Sequence, residues 1–475
     1  MNTIDKAPKT VLVRVQSSQI GEVQHPQHIY PPLPLKHIEA LLQKNGYPVR
    51  LIDQWINLIT EETLLNKCLS ESPGVVVILA SPVDRETGFG LARGLKKEDH
   101  GIITIAVGQD VTLDCQKYLS EESPFDLPLP RESEKEVYGV IERTNRGEGI
   151  REIKSSYVSS GNIVNPFIVE DLDSLPFPTY SPEELEQYCF SSYPLRMTQK
   201  AVWGFLLSSR GCPYDCYFCS PIMRKSYGRK YRTRSAQNVV DEIEHLMKLG
   251  VTVISFEDDN LSFKKDHLFS ICQEIRRRGL RINWIAHSRI DELTEEMMVT
   301  MKKAGCVLLR LGVESGSPRI IRTLRKTCEE GKWLDRCRKT FQLARRLKIA
   351  TNALFIIGNP TETREEIEAT IRLAKELKPD IIQVHYFTLY PGSAAYEDYK
   401  NTLAPELISK LHHYKLPVVN LSCVSTEELE KLCSRFYKQF LLRPSFIADH
   451  LWHYGPFYLK NPNILLHLSR VAKIL

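Results

Sequence analysis

The chain has 475 residues, 12 of them cysteine; 42% are hydrophobic, 25% charged, and the formal net charge is +5. At about 100–200 residues per domain, this length points to two to four domains. The composition excludes collagen, coiled coil and a mainly disordered chain. The longest apolar stretches, such as residues 75–80, fall far short of the roughly 20 residues that a membrane span needs. The first ten residues are polar, carry Pro8 and lack the apolar region of a signal peptide, so the expected location is the cytoplasm. These cysteines do not make a disulfide scaffold; clustered in a cytosolic chain, they indicate metal or catalysis. The small positive charge is spread along the whole chain, so no nucleic-acid partner is expected.

In chain order, residues 10–16 (TVLVRVQ) read as a strand, and residues 35–44 have helical apolar spacing that stops at Asn45-Gly46. Residues 48–53, 74–80 and 101–108 read as further strands, with a helix over 88–97. The run 74–80 (GVVVILA) is continuously apolar, as in a buried parallel sheet. The alternation predicts an open, doubly wound α/β domain over residues 1–150, with ligands at the carboxyl ends of its strands. Residues 120–200 lack strong periodicity and contain Leu175-Pro176-Phe177-Pro178; the stretch 151–200 reads as a linker. From residue 201 the alternation returns, with strands expected at 202–208, 251–257, 281–287, 307–313, 351–357 and 381–388. Six strand–helix units over 201–400 predict a partial or full β/α barrel, whose chemistry lies at the C-terminal ends of the strands. Residues 401–475 read as helical, with turns at Arg443-Pro444 and Gly455-Pro456.

The sharpest local feature is Cys212-Pro213-Tyr214-Asp215-Cys216-Tyr217-Phe218-Cys219, a C-x3-C-x2-C loop directly after a predicted strand. Thiolates suit iron–sulfur clusters or zinc. Three from one loop can hold three irons of a [4Fe–4S] cube and leave the fourth open. Zinc wants a fourth ligand, and the closest candidates, Cys189 and His245, are more than 20 residues away. On the residues alone, cluster, zinc and structural cysteines all remain open.

The loop resembles the signature of the radical S-adenosylmethionine (SAM) superfamily, C-x3-C-x-aromatic-C, and five further elements resemble that superfamily in order. They are Phe256-Glu257-Asp258-Asp259-Asn260, Arg289, Leu311-Gly312-Val313-Glu314-Ser315-Gly316-Ser317, Ile357-Gly358-Asn359-Pro360-Thr361-Glu362-Thr363 and Leu389-Tyr390-Pro391-Gly392-Ser393. The resemblance implies a [4Fe–4S] cluster on Cys212, Cys216 and Cys219. It implies SAM contacts from Phe218, Asp258, Arg289, Glu314 and Gly358. The implied chemistry is reductive cleavage of SAM to a 5′-deoxyadenosyl radical, which takes hydrogen from an unactivated C–H bond.

The segment Ile29-Tyr30-Pro31-Pro32-Leu33-Pro34-Leu35, with its helix and the strand ending in Asp53, resembles the cobalamin-binding domain of one branch of that superfamily. That branch includes class B radical SAM methylases and the anaerobic magnesium-protoporphyrin ester cyclase. The implied architecture is α/β: a doubly wound Rossmann-like cobalamin-binding-type domain, a partial (β/α)6 radical SAM barrel and a C-terminal helical region. Leu33, Leu35, Ser81 and Gly108 are the implied cobalamin contacts. Two departures stand out. The branch has Gly-Gly where this chain has Gly108-Gln109, and G-E-x-E where it has Arg131-Glu132-Ser133-Glu134. No D-x-H-x-x-G motif is present, so no histidine ligand to cobalt is expected.

The expected activity is therefore cobalamin-dependent methylation of a poorly reactive carbon. The alternatives are a radical cyclisation, oxidation or rearrangement without methyl transfer, or a nucleic-acid-binding protein with a structural or sensing cluster. The expected partners are a small-molecule substrate and an electron donor such as flavodoxin or ferredoxin. The basic run over residues 224–234 fits a structural loop or an anionic ligand. Cys328 and Cys337 read as structural thiols. The terminal stretch with Trp452, Tyr454, Phe457, Tyr458 and Ile464-Leu465-Leu466 reads as a helix packed on the barrel. The rival reading is a peripheral membrane contact, which would suit a hydrophobic or lipid-like substrate.

Overall fold

The structure is a computed structural model that describes residues 8–16, 28–57, 59–163, 167–190, 195, 200–219, 227–403, 407, 410 and 416–460. The first unit holds β1 (Thr10–Arg14), α1 (Leu33–Lys44), β2 (Val49–Asp53), α2 (Glu61–Ser70), β3 (Val75–Leu79), α3 (Arg85–Glu98) and β4 (Ile103–Gly108). It continues through two short helices, α4 (Gln109–Leu113) and α5 (Cys115–Leu119), to β5 (Leu127–Pro130), α6 (Glu134–Asn145) and α7 (Ile150–Tyr157). The strands form one parallel sheet in the order β2-β1-β3-β4-β5. Two apolar cores cover it. Val11, Val13, Val76 and Ile78 face one side; Leu12, Val75, Val77 and Ile105 face the other. This two-sided burial explains the uninterrupted apolar run of β3.

The strand β5 escapes sequence reading because its residues are Leu-Pro-Leu-Pro. It pairs with β4 alone at the sheet edge, where proline's missing N–H costs no ladder bond. Helix α7 begins at the boundary expected for the linker, yet its Ile153 is fully buried in a core of the first sheet. The packed unit therefore runs past residue 150.

The second unit begins with β6 (Trp203–Leu206) and an antiparallel pair, β7 (Ser209–Arg210) with β8 (Arg232–Thr233). It proceeds through α8 (Ala236–Lys248), β9 (Val253–Phe256), α9 (Lys265–Arg277), β10 (Asn283–Ser288), α10 (Glu295–Lys303) and β11 (Cys306–Glu314). After α11 (Pro318–Thr323) come α12 (Glu330–Arg346), β12 (Ala350–Ile357), α13 (Arg364–Leu377), β13 (Ile381–Tyr386) and α14 (Ala394–Tyr399). The six long strands pair in parallel and in chain order, β6-β9-β10-β11-β12-β13. These are the six strands expected from the sequence, within one or two residues at most ends. Side-chain caps fix the helix starts: Ser235 accepts from Asn238, Thr294 from Met297, and Thr363 forms a capping box with Glu366.

Two helices follow, α15 (Thr426–Leu441) and α16 (Pro444–Lys460). Leu429, Leu432, Phe436 and Phe440 of α15 join the barrel core. Helix α16 is held by Tyr454, which is buried and donates to Asp380 across 2.7 Å. Its other face leaves Ile447, Leu451, Trp452 and Leu459 exposed. Among the described residues no helix is long and apolar enough to cross a membrane. Ile464, Leu465 and Leu466, and the side chains of Phe457 and Tyr458, lie outside the described residues.

Candidate active site

The cysteine loop hangs from β7. Gly211 has φ +95, and a Cβ there would sit 2.4 Å from the Lys230 carbonyl oxygen, so only glycine lets the chain pass β8 and enter the loop. Backbone bonds then fold the loop. Cys212 N–H donates to Gly228 O (3.3 Å), Tyr217 N–H to Leu324 O (2.9 Å) and Cys219 N–H to Cys216 O (3.1 Å). Cys216 is buried, and Cys212 and Cys219 are half-buried. Burial pushes the Cys212 thiol up to about 11 and the Cys219 thiol higher still, so the bare thiols hold their protons and bound iron would displace them. Among the described residues no three His, Cys, Asp or Glu side chains converge on one ion-sized point. Three thiols on one short loop suit the separate irons of a cube. The donor set thus fits an iron–sulfur cluster.

Arg289 follows β10 and reaches this loop. Its Nη1 donates to Cys216 Sγ at 3.3 Å, and its guanidinium lies 3.7 Å from the Tyr214 ring centroid. Asp291 holds it through two bonds of 3.1 and 2.8 Å, and the Lys326 carbonyl accepts another. A thiolate or sulfide beside this cation gains a charge-assisted donor. Glu314 ends β11 with φ +65, where the β11–β12 register slips, and its carboxylate accepts from Lys326 Nζ at 2.8 Å. A Cβ on Gly312 would lie 2.2 Å from Glu314 Oε1 and 2.8 Å from Lys326 Nζ. That glycine therefore makes the room for the buried pair. Lys326 also stands 5.9 Å from the Phe218 ring, so Phe218, Arg289 and Glu314 gather around one lysine that no sequence motif had singled out.

The acidic pair after β9 divides its work differently from the expectation placed on Asp258. Asp258 is fully buried. It accepts from Ser208 N–H (3.1 Å), from Ser208 Oγ (2.7 Å) and from Ser209 Oγ. His267 completes this chain with Nε2 at 2.9 Å from Ser208 Oγ, and burial lowers its pKa to about 4. Asp258 is thus used up in tying β9 to the strand end before the cysteine loop. Both oxygens of Asp259 are out of solvent and have no partner among the described residues. Burial and the neighbouring Asp258 push its carboxyl well above the usual range, and it is close enough to add to the charge felt by Cys212 and Cys219. The open carboxylate of the motif is Asp259.

Gly358 has φ +76, and a Cβ there would meet Leu429 of α15 at 2.8 Å. The structure uses this glycine to seat the C-terminal helix. Glu362, four residues on, is fully buried and accepts from Asn359 N–H and Nδ2–H, each at 3.0 Å. Burial pushes its pKa up to about 8. Between roughly pH 4.5 and 8 the unfolded chain has lost a proton that the folded chain keeps, so stability falls as pH rises through that window. Glu362→Gln is expected to flatten this slope. Its gain over the parent should be on the order of a few kcal/mol at pH 8 and vanish near pH 5 in thermal or urea unfolding. A variant that tracks the parent's slope refutes the assignment.

The barrel interior is polar. Arg310 of β11 reaches past β10 to Ser255 Oγ (2.9 Å), Phe256 O (3.2 Å) and Glu257 (3.1 Å). Asn352 of β12 donates to Gln383 of β13 at 2.9 Å. Burial, with Arg310 nearby, keeps the pKa of His287 well below its ordinary value, so that ring is neutral.

The first sheet presents its carboxyl edge to this barrel. Arg14 at the end of β1 donates to the Tyr30 carbonyl at 2.8 Å, and Asp53 at the end of β2 accepts from Tyr188 of the barrel core at 3.0 Å. Of the residues expected to touch cobalamin, Leu35 is fully buried in a core of the first sheet and Leu33 packs into the barrel core. Two positions apart on a helix, they point to nearly opposite sides and so enter different cores. Ser81 and Gly108 do lie on the edge: Ser81 Oγ donates to Asp84 at 2.5 Å, and Gly108 has φ +106. Gln109, in place of a second glycine, opens α4, and the next residue, Asp110, is fully buried between Arg85 (2.6 Å) and Tyr118 (2.6 Å).

The two units are locked together by acids that the sequence showed only as a motif fragment. Arg210, the residue before Gly211-Cys212, donates to Glu132 (3.0 Å) and Glu134 (2.8 Å). Arg232 of the basic run donates to the same Glu132 at 3.0 Å and through a second bond. Arg234 pairs with Glu242. Arg232 and Arg234 are therefore buried structural groups, whereas Arg229 and Lys230 make exposed pairs with Asp215 and Glu170. The run's earliest residues, from Arg224, lie outside the described residues.

Residues 206–374 match the family model described as Radical SAM superfamily. Over 439 residues the chain is 27% identical to an uncharacterised methyltransferase of Pyrococcus horikoshii, covering 90% of this chain and 92% of that protein. It is 24% identical to the anaerobic magnesium-protoporphyrin IX monomethyl ester cyclase of Rubrivivax gelatinosus, covering 88% and 75%. The fold is similar to that of the radical SAM methyltransferase TsrM from Kitasatospora setae, solved with cobalamin and a [4Fe–4S] cluster. The TM-score is 0.67 at 17% identity, over 83% of this chain and 78% of that one. The cysteine loop, the arginine at its sulfur and the six parallel strands that carry them make residues 206–374 of this chain a radical SAM domain.

Proposed function

We propose that this chain is a cobalamin-dependent radical SAM methyltransferase acting on an unactivated carbon of a small polar molecule. One observation carries the reading: a three-cysteine loop, with Arg289 on one sulfur and the unpartnered Asp259 beside it, sits where the carboxyl edge of a doubly wound domain faces the barrel. When bound, a reduced cluster and SAM supply a 5′-deoxyadenosyl radical for hydrogen abstraction, and cobalamin supplies methyl transfer. Cys212, Cys216 and Cys219 would hold the cluster. Asp259, on giving up its proton, would offer an anion to the ammonium group of SAM, and the Glu314–Lys326 pair offers both charges nearby. Ser81, Gly108 and Arg131 are the edge residues that fit cobalamin; the Nε of Arg131 is out of solvent without a partner among the described residues. Ser255, Glu257, His287, Arg310, Asn352 and Gln383 inside the barrel favour a substrate with hydrogen-bonding groups over a bare hydrocarbon. A one-electron donor of flavodoxin or ferredoxin type would serve the cluster.

The test is anaerobic reconstitution with iron, sulfide and hydroxocobalamin, followed by desalting, SAM and a strong reductant. Retained cobalamin with both S-adenosylhomocysteine and 5′-deoxyadenosine is the expected result. 5′-Deoxyadenosine alone, with no corrinoid retained, overturns the methyltransferase reading and leaves a radical cyclisation, oxidation or rearrangement.

A further inference from the structure

Arg131 stands immediately after β5, at the carboxyl edge of the first sheet, and its φ is +65. Glycine adopts this conformation freely; a side chain with a Cβ does not. The turn does not need the side chain. Its backbone N–H donates to Thr112 Oγ1 at 2.8 Å, and that hydroxyl donates to Gly108 O at 2.8 Å, so the β4 and β5 ends are tied whatever residue stands at 131. The side chain leaves its own domain instead. Nη2 reaches within 3.3 Å of the point where a Cβ on Gly228 would lie, beside the strand returning from the cysteine loop. Its Nε is shut off from solvent with no acceptor among the described residues.

No ion pair among the described residues includes Arg131, and the acids around it pair with other cations. Glu132 and Glu134 serve Arg210 and Arg232, Asp110 and Asp114 serve Arg85, and Asp215 serves Arg229. A cleft of about 530 Å³ opens at Arg131, lined also by Thr112, Cys115, Gln116 and Asn162. A strained cation with an unsatisfied buried donor, placed at a cleft on a ligand-binding sheet edge, is poised for an acceptor that the protein does not supply.

We propose that Arg131 binds a phosphate oxyanion at the junction of the two domains. The planar guanidinium offers Nε and an Nη as a fork to two phosphate oxygens. Two sources share this chemistry: the phosphodiester in the nucleotide tail of cobalamin, which rests on the function proposed above, and a phosphate carried by the substrate. The experiment uses full-length parent, Arg131→Gly and Arg131→Lys. It measures equilibrium binding of hydroxocobalamin and of dicyanocobinamide, which lacks the phosphodiester, and the thermal shift caused by inorganic phosphate against an equal concentration of chloride.

Arg131→Gly is expected to keep or raise the melting temperature of the ligand-free protein, because glycine fits the backbone, and to lose the ligand response. A role confined to packing would lower that melting temperature. If the source is the cofactor, Arg131→Gly weakens hydroxocobalamin on the order of tenfold and leaves dicyanocobinamide unchanged, with Arg131→Lys in between. If it is the substrate, both corrinoids bind as in the parent and the phosphate shift disappears. Parent-like phosphate response and corrinoid affinity in Arg131→Gly overturn the proposal, as does equal weakening of both corrinoids. A parent that binds no corrinoid sinks the cobalamin reading alone, because the phosphate shift still judges Arg131. A parent that responds to neither probe overturns the proposal.

Discussion

Asp259→Asn is expected to melt at a higher temperature than the parent without ligand, and to bind SAM on the order of 10- to 100-fold more weakly. The stability change follows from burial. Both Asp259 oxygens are shielded and unpartnered, and its carboxyl is pushed well above the usual range by that burial and by Asp258. An acid with a raised folded pKa costs stability once the pH exceeds the unfolded carboxylate range, and the cost grows as pH rises. Asparagine has no charge to bury and no such slope. The affinity change follows from the same isolation: an unpartnered carboxyl near Cys212 and Cys219 can give up its proton and meet an ammonium group as an anion, and an amide meets that group with a weaker bond. Asp258→Asn should do the opposite. That carboxylate holds Ser208 and Ser209 at the strand end leading to the cysteine loop, so its loss should lower the melting temperature and the iron bound per chain. Differential scanning calorimetry and equilibrium dialysis with SAM on both variants decide it. Swapped phenotypes would return the ligand role to Asp258.

This pair shows where the sequence stops being informative. Phe256-Glu257-Asp258-Asp259-Asn260 located the right strand end, because order along the chain survives as order around the sheet. Which carboxylate of the pair is tied down depends on a twist of one residue, and only its bonds to Ser208 and to Ser209 of β7 reveal it. The three cysteines were legible as a group because all lie on one short loop. Lys326 was not: it joins Glu314 through a turn twelve residues away and carries no spacing of its own. The six barrel strands were legible from alternation, whereas β5 was hidden by prolines that only an edge position tolerates. Leu33 and Leu35 open a helix start that packs into two cores, a division that the motif around them does not announce.

Glu132→Ala is expected to cost about 3–5 kcal/mol and to reduce iron retention, the larger of the two stability effects. Glu132 is fully buried and accepts from Arg210 and from Arg232, while its Oε2 also receives Val169 N–H at 3.1 Å. Removing it leaves two guanidiniums facing one another inside the protein, with only Glu134 and two carbonyls to share between them. A buried charge without its partner is far costlier than the intact pair is stabilising. The damage should reach the site, because Arg210 precedes Gly211-Cys212 and a change in its anchorage moves the start of the cysteine loop. Two comparisons isolate the effect. Glu170→Ala, which breaks the exposed Lys230–Glu170 pair in the same region, should change neither stability nor iron content measurably. Arg232→Met in the Glu132→Ala background should recover part of the loss by removing one unpaired cation, a coupling that a double-mutant cycle reads directly. Urea unfolding, with iron counted per chain after desalting, measures five proteins: the parent, Glu132→Ala, Arg232→Met, Glu170→Ala and the double variant. Additive losses in the double variant would mean that Glu132 and Arg232 stabilise the junction independently, and parent-like iron in Glu132→Ala would mean that the first domain does not set the cysteine loop.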